Sequence, residues 1–352
     1  MKSNKPGVLY FLCTDNNQPA GGRQIIYGLV DILNANNVKS FALHQSKGFK
    51  YTWFKNETSV AYTTQFKTRK YAKKGLLGKL KILLLAIKEE FQGKDDNKIE
   101  LSGDDILVIP ETRITQLETF KVGVKLVTLA QNVYLSFAGE NDFKHISNAY
   151  RDNAISLRIS MSELGYKTRT FLFPNQLVEH VPIFIDESRF QFHKVKKRII
   201  AYMPQKMESD AKFLLNTLAI RNKCWDYEFV PIVGKTYHQV AQILKETLIF
   251  LSFSYREGLG LPPLEAMASG CIVIGYSGNG GNEFFGTKYF NQIEEGDIIS
   301  YASKVEEIIE EYGSNRQRLD QLREEGSSYV LERYSKTNTE KALIQSFKTI
   351  IE

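Results

Sequence analysis

"REGLGLPPLEAMASGC", Arg256 to Cys271, is the stretch whose reading decides the fold. Just upstream, residues 248–253 form an apolar run, broken only by Ser252, of the length of a buried parallel strand, so Ser254 to Gly260 leaves that strand's carboxyl end. Ligands of open α/β sheets bind at that edge. Gly258 and Gly260 let backbone N–H groups approach a ligand that a Cβ would exclude. Pro262 or Pro263 then starts a helix, where a missing N–H costs nothing, and Gly270 ends it before a strand at Cys271. Glu257 stands just outside this helix and Glu265 is expected in its first turn. Taken singly, each glutamate does no more than complement the positive helix end, worth a few tenths to about 1 kcal/mol.

Similar apolar runs recur at residues 8–13, 106–109, 125–129, 155–159, 198–203, 228–232 and 271–275, alternating with helical patterns. That alternation predicts an α/β protein with parallel sheets covered by helices, and the count suits two doubly wound, Rossmann-like units facing a cleft. An apolar run with Pro182 gives way to a charged stretch over 186–197 before a new strand begins, so the boundary is placed between 185 and 186. The expected organisation is an N-terminal domain over 1–185, a C-terminal domain over 186–334, and a terminal amphipathic helix over 335–352 packing back toward the N-domain.

The chain has 352 residues, 43% hydrophobic and 24% charged, which suits a globular protein of two domains. Its net charge of +6, from 46 Lys plus Arg against 40 Asp plus Glu, permits an anionic ligand without demanding nucleic acid, and no nucleic-acid module is recognisable. Cys13, Cys224 and Cys271 are too few and too scattered for a disulfide framework or a zinc site, which fits a reducing, cytoplasmic setting. The five histidines show no paired spacing, so metal ligation is not expected. The N-terminus has only a short apolar run and reads as a first strand rather than a signal peptide.

"EGLGLPPLEAMASG" resembles the E-x7-E motif of retaining GT-B glycosyltransferases, most closely the family GT4 (glycosyl transferases group 1). The resemblance implies that Glu257 lies against the donor sugar, that Glu265 bonds the ribose hydroxyls, and that Gly258, Leu259 and Gly260 offer backbone donors to sugar and diphosphate. It further implies a metal-independent reaction with no cofactor, the nucleotide sugar being a substrate. "MPQKMESDA" looks like the M-P-R-K loop of a bacterial subset; Lys206 matches the lysine, but Gln205 stands where arginine is more common. Arg256 and Lys235 are candidates for the missing charge on the diphosphate. Gly280, in the loop "GYSGNGGNEFF", corresponds to the donor-side loop of the same subset, although a plain flexible loop reads equally well.

In the N-domain, Gly21 and Gly22 follow the first strand without forming a G-x-G-x-x-G fingerprint. The resemblance puts them at the cleft; a simple strand-to-helix turn is the alternative. "LVTLAQNVYLSFAG" is similar to the subset's N-Q-N-x-Y segment, which implies that Gln131, Asn132 and Tyr134 line the acceptor side. The resemblance as a whole implies sugar transfer to a hydroxyl of a glycan or lipid-linked acceptor, as in surface polysaccharide synthesis. A GT-B nucleotide-sugar epimerase and a non-catalytic, membrane-recruiting module are the alternatives; a product joined to an added acceptor separates them.

Residues 67–88 carry eight Lys or Arg and no acid, with Leu76, Leu77, Leu80, Leu83, Leu84 and Ile87 at helical spacing. Such a helix can pack its leucines on the sheet, lie on an anionic membrane surface, or pack through leucines while its lysine rim touches lipid; in the membrane readings the protein is peripheral at the inner face.

Overall fold

A computed structural model describes residues 7–67, 77, 79–84, 97–137 and 142–351. Two parallel sheets organise them. The first has seven strands in the order β3-β2-β1-β4-β5-β6-β7: β1 Leu9–Leu12, β2 Ser40–His44, β3 Val60–Tyr62, β4 Ile106–Pro110, β5 Lys125–Ala130, β6 Ile155–Ser160 and β7 Val178–His180. The second has five in the order β12-β11-β10-β8-β9: β8 Lys197–Tyr202, β9 Glu228–Pro231, β10 Thr247–Glu257, β11 Ile272–Asn279 and β12 Phe290–Gln292. Each order reverses direction once, at β1/β4 in the first sheet and at β8/β10 in the second. Such switch points leave a crevice outside the strand carboxyl ends.

The central strands are apolar on both faces because helices cover both. Leu248, Ile249, Phe250 and Leu251 of β10 and Val273 and Ile274 of β11 are all fully buried, in parallel register from Ile249↔Ile272 to Ser254↔Ser277. The helix Gly21–Ala35 buries Ile25, Ile26, Leu29, Val30, Ile32 and Leu33 on the first sheet. The terminal helix Lys336–Ile351 also lies against that sheet: Phe347 meets Phe11 edge-on at 6.1 Å, and Lys125 Nζ donates to the Ile350 carbonyl at 2.6 Å.

A polar cluster beyond the carboxyl ends of β6 and β11 ties the two halves together. Glu283 Oε2 accepts from the Glu163 backbone N–H at 2.8 Å, Tyr334 donates to Glu283 Oε1 at 2.9 Å, and Arg333 pairs with Glu163 at 2.6 Å.

Of the basic stretch, residues 68–76, 78 and 85–88 lie outside the described residues. Residues 79–84 are helical. Leu77, Leu80, Leu83 and Leu84 are 55–73% exposed, so these leucines do not pack on the sheet.

Candidate active site

The two switch points face each other across a cavity of about 500 Å³, within the roughly 300–1,000 Å³ usual for small-molecule sites. On the C-terminal wall, β10 runs to Glu257 and the helix Leu261–Ala268 starts after Gly260, whose φ is +97°. Gly258 is obligatory for another reason: a Cβ there would sit 2.0 Å from the Gln131 carbonyl oxygen of the opposite wall. Glu265 therefore falls in the helix's second turn, not its first, and is buried beneath the cleft floor.

The N-terminal wall is built from the turn after β1, the start of the helix Gly21–Ala35, and the ends of β4 and β5. No side chain caps this helix and no acid occupies its first turn, so its positive end is left uncompensated toward the cleft. Gly21 touches the other wall; a Cβ there would lie 2.8 Å from Leu261 Cδ1. A bulkier residue there would displace the end of the Leu261 side chain.

Of the residues singled out in the sequence, Gly21, Gly22, Gln131, Asn132, Lys206, Lys235, Glu257, Gly258, Leu259, Gly260 and Glu265 line this one cavity. Arg256, Tyr134 and Gly280 do not. Arg256 has a left-handed backbone (φ +46°) and its guanidinium lies over the Tyr255 ring, 5.1 Å from the centroid, instead of facing the cavity. Tyr134 accepts a hydrogen bond from Asn279 at the rim. Gly280 packs behind the turn, where a Cβ would lie 2.2 Å from the Gly258 carbonyl oxygen.

In the cavity lining, Lys206 Nζ meets Glu257 Oε1 at 2.5 Å, with side chains 45% and 18% exposed. A partly exposed pair of this kind is worth about 0–1 kcal/mol, so an incoming anion can draw the lysine away at little cost. Gln205, in the position where arginine was the expectation, donates from Nε2 to the Ile232 carbonyl at 3.2 Å. It braces the end of β9 and brings no charge.

In the same lining, Tyr237 donates to Glu265 Oε1 at 3.1 Å. Burial pushes the Glu265 carboxyl up to about 7; the tyrosine bond opposes this shift and nearby Asp186 reinforces it. A buried carboxylate with spare lone pairs is suited to accept hydrogen bonds from a pair of hydroxyls.

Glu111, at the end of β4, was missed in the sequence. It lines the cavity, is 3% exposed, and accepts the Asn132 N–H through Oε1 at 3.0 Å. Burial raises its carboxyl above the ordinary range; the Asn132 N–H and then the Arg169 charge oppose that shift. Asn132 in turn donates from Nδ2 to the Arg256 carbonyl at 3.0 Å, linking the walls. The signal was a carboxylate directly after an apolar run. Trp53 also lines the cavity, from the loop between β2 and β3, and stood in a stretch that carried no motif.

Two opposed positive helix ends, two lysines and three carboxylates in one crevice make a place for a hydroxyl-rich ligand with an anionic group. Comparison with known proteins agrees. Residues 228–326 match the family described as glycosyl transferases group 1. Over 225 residues the chain is 28% identical to an alpha-1,6-glucosyltransferase of Actinobacillus pleuropneumoniae serotype 7 (strain AP76), covering 62% of this chain and 67% of that protein. The chain has the GT-B fold. Anabaena HepE in complex with UDP and glucose shares the fold at TM-score 0.65 and 13% identity, over 98% of this chain and 100% of that one. A TarM variant of S. aureus, in complex with Fondaparinux, alpha-GlcNAc-glycerol and UDP, superposes at TM-score 0.68 and 11% identity, over 98% and 100%. The family match begins at β9 and ends within the helix Arg316–Arg333, so it takes in Lys235 and both motif glutamates but stops short of Lys206 and the N-terminal wall.

Among the described residues, no cluster of His, Cys, Asp and Glu is arranged to hold a metal ion, and no helix is long and apolar enough to cross a membrane.

Proposed function

We propose that this protein is a glycosyltransferase of the GT4 kind, which moves a sugar from a nucleoside diphosphate donor to a hydroxyl of a glycan or lipid-linked acceptor with retention of anomeric configuration. The observation that carries this reading is the pairing of Lys206–Glu257 and Tyr237–Glu265 in the lining of one cleft. Glu265 takes the ribose hydroxyls. Gly258, Leu259 and Gly260 present backbone N–H groups, and Lys206 and Lys235 balance the diphosphate, which gains charge as its bond to the sugar breaks. Glu257 lies against the sugar. UDP is the first donor nucleotide to try, since HepE and TarM bind it, and glucose the first sugar, from the Actinobacillus relative.

In the transfer, the bond from anomeric carbon to diphosphate oxygen breaks and the acceptor oxygen bonds that carbon on the same face. The acceptor proton passes to the departing phosphate. Positive charge comes from lysines and helix ends, so the step proceeds without a divalent metal or any cofactor. Holding both substrates between closing walls removes much of the entropic barrier.

The exposed leucines and surrounding lysines of residues 67–88 support a peripheral position on an anionic membrane surface at the cytoplasmic face, where a lipid-linked acceptor for polysaccharide synthesis would be met. Replacing Lys73, Lys74, Lys79 and Lys81 with Gln is expected to weaken binding to phosphatidylserine vesicles; unaltered binding refutes the membrane role.

The reaction itself is tested by incubating the protein with UDP-glucose, EDTA and a panel of octyl glycosides. An α-linked disaccharide product in the proton spectrum is expected. A β-linked product contradicts retention, and an epimerised donor with no new linkage favours the epimerase reading.

A further inference from the structure

Trp53 belongs to the N-terminal half but reaches across the cleft: its Nε1 donates to the Lys235 carbonyl at 3.1 Å. The bond is to backbone, so it fixes the indole beside the β9 loop whatever side chain the loop carries. The indole also lies 5.1 Å, centroid to centroid, from the ring of Tyr237, whose hydroxyl holds Glu265 at 3.1 Å. Trp53 therefore stands one ring away from the carboxylate assigned to the ribose, on the side bounded by Ile232, Gly234 and Lys235.

The base of a nucleotide is joined directly to its ribose, so a ribose held at Glu265 brings the base within a ring's width of these aromatics. Tyr237 is the less available of the two. It is 3% exposed and already packed against Phe190 at 5.3 Å and Phe54 at 6.4 Å. Trp53 is half-buried and borders the cavity.

Resting on the donor assignment above, we propose that Trp53 is a nucleobase-binding residue, its indole closing over the base from the domain opposite the rest of the donor site. The base then bridges both domains, so binding of the nucleotide draws the cleft shut, and the domain that meets the acceptor also senses the donor. Stacking on an indole is tolerant of base identity, so choice among bases falls to the backbone around Ile232 and Gly234.

The test uses the full chain. Its tryptophans are Trp53 and Trp225, and Trp225 is 79% exposed, so a Trp225→Phe variant reports Trp53 fluorescence alone. The best binder among UDP, GDP, dTDP and ADP serves as probe, with inorganic pyrophosphate as the base-free control. We expect the nucleotide, but not pyrophosphate, to change Trp53 emission. Trp53→Ala is expected to weaken the nucleotide roughly 5- to 100-fold, as for loss of one base–aromatic stack, and to leave pyrophosphate within about twofold. Nucleotide affinity within about twofold of wild type, or equal weakening of nucleotide and pyrophosphate, overturns the proposal. If Trp53→Ala does not fold, the emission of Trp225→Phe decides: calorimetric binding with no emission change overturns it equally. A wild type that binds none of the four nucleotides brings down the donor assignment itself, and the Trp53 role with it.

Discussion

The two walls of the cleft are made differently. The C-terminal wall carries its chemistry in one contiguous run, with Glu257, Gly258, Gly260 and Glu265 following a single strand, and Lys206 arriving from the neighbouring β8 end. The N-terminal wall gathers Trp53, Glu111 and Asn132 from three separate loops and meets its partner largely through backbone: Gln131 against Gly258, Asn132 on the Arg256 carbonyl, Trp53 on the Lys235 carbonyl. The difference teaches that one wall holds charge and the other holds shape. A nucleotide sugar has fixed ionic needs that a compact motif can meet, whereas contacts to backbone place the opposite wall without fixing what it binds.

If so, charge substitutions on the C-terminal wall will act through donor chemistry and steric ones on the N-terminal wall through closure. The largest effect is expected from Glu257→Gln. Removing a charge that faces the reacting sugar is expected to lower kcat by about 10²–10³-fold while UDP affinity moves less than about tenfold; equal losses in both would assign Glu257 to uniform donor binding instead. Gly258→Val comes next. Its Cβ collides with the Gln131 carbonyl, holding the walls apart, and a misplacement of about 1 Å is enough to cost ~10²-fold in kcat/KM. Full activity would show that the walls need not meet.

Glu265→Ala is expected to weaken donor binding by about 1.5–3 kcal/mol, the range for hydrogen bonds to a charged group, as read by calorimetry. The raised carboxyl adds a pH signature. Its ionised form accepts the hydroxyls, so donor affinity is expected to rise as pH increases through about 7, and Glu265→Gln to flatten that rise. For the ligand-free protein the sign is opposite. The acid is harder to ionise folded than unfolded, so its contribution to stability is complete below the ordinary value near 4.5 and is lost as pH climbs through about 7. By pH 8 that loss amounts to ~3 kcal/mol, and Glu265→Gln should melt a few degrees higher there while matching wild type near pH 4. The smallest effect belongs to Asn132→Ala, which removes one cross-wall bond of about 0.5–1.5 kcal/mol and is expected to raise KM more than it lowers kcat.

The long buried strands were legible in the sequence because their residues are apolar on both faces, as in residues 248–253. The short ones were not. In β2, Ser40 and His44 are buried yet polar; Ser40 bonds Asn34 and the Val30 carbonyl, and His44 sits between Tyr27 and Asp15. Such partners hide a strand from any apolar pattern. The edge strands β3, β7 and β12 are each three residues long, too brief for alternation to register.

Site residues divide along the same line. Those in the motif could be named because their spacing is local, while Glu111 reaches the cleft through sheet order, which brings β1 beside β4, and Trp53 through the loop between β2 and β3. Arg256 was assigned by charge, and the chain's left-handed turn at that residue sends its guanidinium elsewhere.

The most direct test of the two-carboxylate grip is a thermal-shift comparison of wild type and Glu265→Ala against UDP-, GDP-, dTDP- and CMP-sugars in EDTA. The account predicts that one donor raises the melting temperature of the wild type, as a ligand of the native state must, and leaves Glu265→Ala nearly unmoved. An equal shift in both proteins, or no shift with any donor, would contradict it.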